Sequence, residues 1–156
     1  TVLSLDDSKS KVISKNLLSF LVSKDEIFAL TSSEKRISLV KMGLGGENVQ
    51  VLADFSAEKS LTGKEIKKME NRDGTYYALI GANLYALKNS EVNLVAGQVG
   101  GFAVSPDDAV LGWYSGSEFW VEWIKDINYQ PIKKAGEKEL IVRKSLFFDF
   151  LFLQGF

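Results

Sequence analysis

The sequence predicts an all-β chain, and three observations carry that prediction. Helical periodicity is nearly absent; short apolar runs rich in β-branched and aromatic residues alternate with Gly, Asn, Asp and Ser; and those runs recur in groups of four. At 156 residues the chain is long enough to bury a core, and a composition of 46% hydrophobic and 25% charged residues with two prolines is that of a globular protein.

Each element follows in order. The first group of runs occupies 17–22, 27–31, 37–41 and 49–53. The second occupies 76–80, 84–87 and 92–96, with 65–71 leading in. The third occupies 102–105, 110–114, 119–124 and 140–143, and a last run at 146–153 begins a further strand. The single helical candidate is 56–69, where Leu61, Ile66 and Met69 lack helical regularity and Gly63 interrupts the middle, so a short helix or turn is expected there. The closing strands of the groups read NVQVLAD, EVNLVAG and KELIVRK, and steps of 43 and 48 residues separate Val49, Val92 and Leu140. Four short strands every 40–50 residues or so are the signature of a β-propeller blade. The expected architecture is therefore a single partial β-propeller of about three four-stranded antiparallel blades. The blade-like units are placed at about 15–55, 65–98 and 100–145, and 146–156 starts a further strand.

Within the third unit, AVSPDDAVLGWYSGSEFWVEW poses the question of whether its acids and tryptophans form a site or a wall. Pro106 presets φ for a type I turn, and Asp107 or Asp108 is suited to hydrogen-bond the turn backbone. Gly116 takes a positive φ in the hairpin that follows. Phe119, Val121 and Trp123 point to one face of their strand and Trp120, Glu122 and Ile124 to the other, so aromatics on both faces suit a sheet packed between neighbours. At least one of Trp120 and Trp123 is expected to be nearly buried.

The residues 102–145 resemble a blade of TolB-like or WD-repeat-like propellers, and more narrowly are similar to propellers that follow PEGA domains in bacterial envelope proteins. The Ser105–Pro106–Asp107–Asp108 turn, the Glu118–Phe119–Trp120–Val121 strand, the QPIKKAGEKEL insertion and the LIVRKS closing strand carry the resemblance. It is weaker over 76–97 and topological before residue 60. It implies a rigid platform for protein or cell-wall contacts in the cell envelope or outside the cell, as part of a longer membrane-anchored protein, and it supplies no catalytic residues. Two features depart from the pattern: Asp108 stands where glycine is usual, and LFFDFLFLQGF is more apolar than a next first strand should be.

Composition excludes several chemistries. There is no cysteine and no histidine, which removes thiolate or imidazole metal sites, cysteine nucleophiles and every histidine-based triad. Nineteen basic and twenty acidic side chains leave a net charge of −1, without the basic excess that a nucleic-acid surface needs. The apolar run 146–156 contains Asp149 and Gln154 and is too short to span a bilayer. The absent initial methionine suggests a piece of a longer protein, and about three blades ending in an unpaired apolar run at 146–156 predict either a fragment of a larger propeller or a chain that oligomerises through its terminal strands.

Motifs that invite chemistry have plainer readings. The run 43–48 is glycine-rich but joins two strands and lacks the lysine–serine/threonine pair of a phosphate loop; Thr62–Gly63–Lys64 fails the same way, with Glu65 where a hydroxyl belongs. Asn71–Arg72–Asp73–Gly74–Thr75 lacks the alternating ligands of a calcium loop and reads as a β-turn. Asp6–Asp7 and Asp107–Asp108 are adjacent carboxylates of the kind that face water in turns. No catalytic residue, metal ligand or cofactor site is expected. The candidate binding residues are Tyr129, Trp113, Tyr114, Trp120 and Trp123, because tryptophan and tyrosine combine large apolar faces with a polar tip. The segment 126–139, with Pro131, Gly136 and its lysines, is expected as an exposed excursion, with Tyr129 the anchor. Two functions follow: a non-enzymatic interaction module that binds a protein, peptide or cell-wall glycan, or an accessory propeller of a glycosidase or peptidase enlisting Asp107, Asp108, Glu118 or Glu122.

Overall fold

A computed structural model describes residues 16–33, 36–55, 61 and 64–143. The chain is all-β: among the described residues twelve strands form three four-stranded antiparallel sheets. The first sheet holds β1 (Leu17–Ser23), β2 (Glu26–Ser33), β3 (Arg36–Gly43) and β4 (Gln50–Asp54). The second holds β5 (Ile66–Arg72), β6 (Thr75–Ile80), β7 (Asn83–Lys88) and β8 (Glu91–Ala96). The third holds β9 (Val99–Val104), β10 (Val110–Ser115), β11 (Glu118–Trp123) and β12 (Lys138–Arg143). In every sheet the spatial order is the chain order, a simple meander. The chain divides into two compact units, one reaching to Ala96 with the first two sheets, the other starting at Gly97 with the third.

Tight turns explain why consecutive strands pair. Asp73 and Gly74 between β5 and β6 both take positive φ, 49° and 74°, as do Asn89 and Ser90 between β7 and β8, 52° and 67°. Two positive φ values in a two-residue loop give the turn whose twist matches the flanking strands. The run 71–75 is therefore a hairpin turn. Ile66–Met69 lies inside β5, so that part of 56–69 is strand rather than helix; Leu61 is a buried residue ahead of it. The remainder of 56–63, the run 146–156 and Asp6–Asp7 lie outside the described residues.

Repetition extends to the register. The first strand of each sheet carries one extra residue against its neighbour: Leu18, Lys67 and Gly100. The last strand does too, at Leu52, Val95 and Ile141. A bulge bends and twists a strand and spoils an edge for pairing with another chain, and edge strands are where such control is needed. These bulges correct the sequence alignment. They are separated by 43 and 46 residues, so the counterpart of Val49 and Val92 is Lys138, not Leu140. A lysine in an apolar position drew the alignment two residues along the strand.

In the first unit β2 is buried along Ile27, Phe28, Ala29 and Leu30, so both faces of its sheet are covered. Phe28, Leu30 and Leu39 pack in one cluster with Ile66, Ala78, Ile80 and Tyr85 of the second sheet; Ile27, Ala29, Val40 and Met42 form a cluster on the opposite face. Edge-on aromatic contacts, Phe28 to Tyr76 at 6.1 Å and Phe55 to Tyr85 at 5.4 Å, join the two sheets. Two polar contacts bridge them as well. The Ile66 amide donates to Ser19 Oγ at 3.0 Å. Lys41, ion-paired to Glu26 at 2.9 Å, lies 5.7 Å from the centre of the Tyr76 ring. Among the described residues no helix is long and apolar enough to cross a membrane.

Leu39 is fully buried at 0% exposure and Val51 is 56% exposed on the outer strand. In urea unfolding, Leu39→Ala should cost roughly 2–5 kcal/mol. Val51→Ala should stay within about 0.5 kcal/mol. Equal costs would contradict the assignment of the core.

Candidate functional site

The second unit carries every candidate binding residue. Its turn is built as the residue types dictate. The Asp108 amide donates to the Ser105 carbonyl at 2.9 Å, closing the turn. Ser105 Oγ donates to Asp107 Oδ1. The Ala109 amide donates to that same carboxyl oxygen at 3.2 Å, and the Val110 amide to Ser105 Oγ at 2.9 Å. These bonds hold the Asp107 carboxyl below the usual carboxylate range, the Ser105 hydroxyl contributing most. Asp108 takes φ of 56°, the left-handed conformation that glycine adopts readily and aspartate is able to adopt. Both aspartates are turn-builders.

The β10–β11 register decides which rings meet. Trp113 lies directly opposite Trp120, Tyr114 opposite Phe119, and Val110 opposite Trp123. Residues directly opposite share a face, so Trp113 and Trp120 lie on one face and Trp123 lies with Tyr114 and Phe119 on the other. Burial reverses the expectation for the tryptophans. Trp113 is the buried one, at 4% exposure, while Trp120 and Trp123 are both half-buried. The difference lies in the flanking partner: on its outer-strand side Trp113 stands opposite Phe102 of β9, itself buried, whereas Trp120 stands opposite the half-buried Leu140 of β12. Trp120 Nε1 donates to Glu118 Oε2 at 3.1 Å, which satisfies the indole. Lys138 pairs with Glu122 at 3.4 Å and reaches over the Trp113 ring at 5.6 Å.

Tyr114 is 38% exposed, yet its ring is held. It lies on the bare backbone of Gly100 and Gly101, so close that a Cβ on either glycine would collide with it. Glycine here permits close approach of a ring to backbone.

The excursion from β11 to β12 is exposed and ordered by its own bonds. Ile127 and Lys133 exchange two backbone hydrogen bonds, 2.8 and 3.0 Å, and leave Asn128–Ile132 as a tip. At its root the Gly136 amide donates to the Trp123 carbonyl at 2.7 Å and the Trp123 amide to the Glu137 carbonyl at 3.0 Å. Asp126 accepts from the Ala135 amide at 2.9 Å and from Lys134 Nζ at 3.1 Å. Lys133 Nζ pairs with Glu139 at 2.8 Å while standing 4.5 Å above the Trp123 ring, which ties the loop to the sheet. The tip presents Tyr129, 69% exposed, and Ile132, 62% exposed.

Of the five candidates, then, Trp113 is core, Trp120 and Trp123 are half-buried and engaged, Tyr114 covers glycine backbone, and Tyr129 alone projects into solvent on the excursion. Sequence reasoning missed Ile132, although an isoleucine directly after Pro131 in a polar run was a usable signal, and missed Lys133 as the latch on Trp123. Among the described residues no group of three or more acidic side chains is placed to hold a metal ion. No family model matches the chain, and no curated protein does.

Trp113→Ala should cost roughly 3–5 kcal/mol in chemical denaturation and more than the same change at Trp120. The Ala135 amide, followed by Lys134, holds the Asp126 carboxyl below its ordinary range. A carboxyl depressed in the folded state contributes stability above that range and loses it as pH falls through the depressed value. An NMR titration of the Ala135 amide should therefore inflect below the usual carboxylate range, and Asp126→Asn should remove the inflection. An inflection at or above that range would show that the clamp does not hold in solution.

Proposed function

We propose that this chain is a non-enzymatic interaction module: a propeller-like scaffold of blade-type sheets that presents a loop to a protein partner. The observation that carries this reading is the excursion between β11 and β12. Several strand connections are two-residue turns, whereas this one is long, internally bonded and tipped with two exposed apolar side chains. Long ordered loops on rigid sheets are where binding residues concentrate. Three of the four carboxylates that a hydrolytic reading would enlist are otherwise engaged: Asp107 within its turn, Glu118 by the Trp120 indole, Glu122 by Lys138. Resemblance of the third unit to TolB-like and WD-repeat-like blades supports the same function and suggests the cell envelope as its setting.

A photo-crosslinking amino acid placed singly at Gln130, Ser117 and Asn89, all exposed, tests the module reading in the full-length protein within its own cells. A discrete protein adduct from at least one of the three positions is expected. Absence of any adduct at all three would overturn it.

A further inference from the structure

Resting on the module reading, the chemistry of the excursion points to the kind of partner. We infer that the tip Asn128–Ile132 docks into an uncharged, apolar pocket on a protein, and that the association is insensitive to salt. The tip sequence, Asn128–Tyr129–Gln130–Pro131–Ile132, holds no charge. Its two large apolar side chains, Tyr129 and Ile132, are exposed at 69% and 62%.

Each charged side chain of the excursion from Asp126 to Glu139 is engaged by the protein itself. Asp126 pairs with Lys134 and Lys133 with Glu139. Lys138 pairs with Glu122, and Glu137 Oε1 accepts from the Lys134 amide. The root is thus electrostatically closed, and what it offers outward is apolar and amide surface. Nucleic acid and anionic lipid bind through cations free to meet phosphate. This loop has engaged its cations elsewhere, so neither is its partner. Tyrosine brings a large contact area with few rotors to freeze, and asparagine and glutamine adapt their hydrogen bonds to the rim of a pocket. The backbone bridge between Ile127 and Lys133 holds the tip in one shape before any partner arrives, which lowers the entropy lost on binding.

The experiment repeats the Gln130 photo-crosslink of the full-length protein in extracts of its own cells adjusted to set salt concentrations, with the adduct peptide identified by mass spectrometry. Expected is a protein peptide of apolar, uncharged residues, with adduct yield constant within about twofold between about 50 and about 500 mM salt. Ile132→Asp, at an exposed position that leaves the fold intact, should cut the yield by roughly tenfold or more. A lipid or nucleic-acid adduct, a roughly tenfold fall in yield with salt, or indifference to Ile132→Asp would each overturn the inference. Adducts from Ser117 or Asn89 with none from Gln130 would also overturn it and leave the module reading standing, whereas silence at all three positions removes both.

Discussion

A sheet that is apolar on both faces cannot be exposed to water on either, and the architecture of this protein follows from that requirement. Along β2, four consecutive residues from Ile27 to Leu30 are buried. Alternation sends Phe28 and Leu30 to one side and Ile27 and Ala29 to the other, so each side needs its own covering layer. The second sheet supplies one of them, with Ile66, Ala78 and Ile80 in the same cluster as Phe28 and Leu30. Within the first unit, one sheet thus completes the burial of the other.

Repetition brings a hazard, because each sheet has two edge strands with unpaired backbone groups. The chain meets it in the same way three times, with one extra residue in the first and one in the last strand of every sheet. The bulged residues themselves, Leu18, Lys67 and Gly100 on one edge and Leu52, Val95 and Ile141 on the other, share no chemistry. What is repeated is geometry: a local twist that keeps one edge from templating another.

That contrast explains how much was legible in the sequence. Strand positions were, because β-branched runs and turn residues such as Asp73–Gly74 are local signals read without knowing the neighbours. The bulges were not, since an extra residue is defined only against the strand it faces, and Lys138 in an apolar slot moved the third repeat out of register. The tryptophans failed for a related reason. Trp120 and Trp123 looked better placed than Trp113 because burial was judged from a single strand's alternation, whereas the residue on the neighbouring strand matters: Trp113 faces buried Phe102 and Trp120 faces half-buried Leu140. At the candidate site the exposed excursion was visible through Pro131, Gly136 and its lysines. The pairing of those lysines was not, because Asp126–Lys134 and Lys133–Glu139 depend on how the loop folds back on itself. Asp108 was not legible either: a non-glycine residue gives no local sign that it takes a positive φ.

The contact of Tyr114 with Gly100 and Gly101 has a consequence for how this sequence can change over generations. A side chain at either glycine meets the ring, so most substitutions there are closed while Tyr114 stands. Once Tyr114 is lost, the glycines leave bare backbone that any Cβ would cover, and the same substitutions turn from harmful to favourable. The order of events thus matters: the ring must go before the glycines are free to follow, and a chain that has taken both steps meets a barrier on the way back. Neighbouring positions in contact are coupled in this sense, and these three residues drift together or not at all.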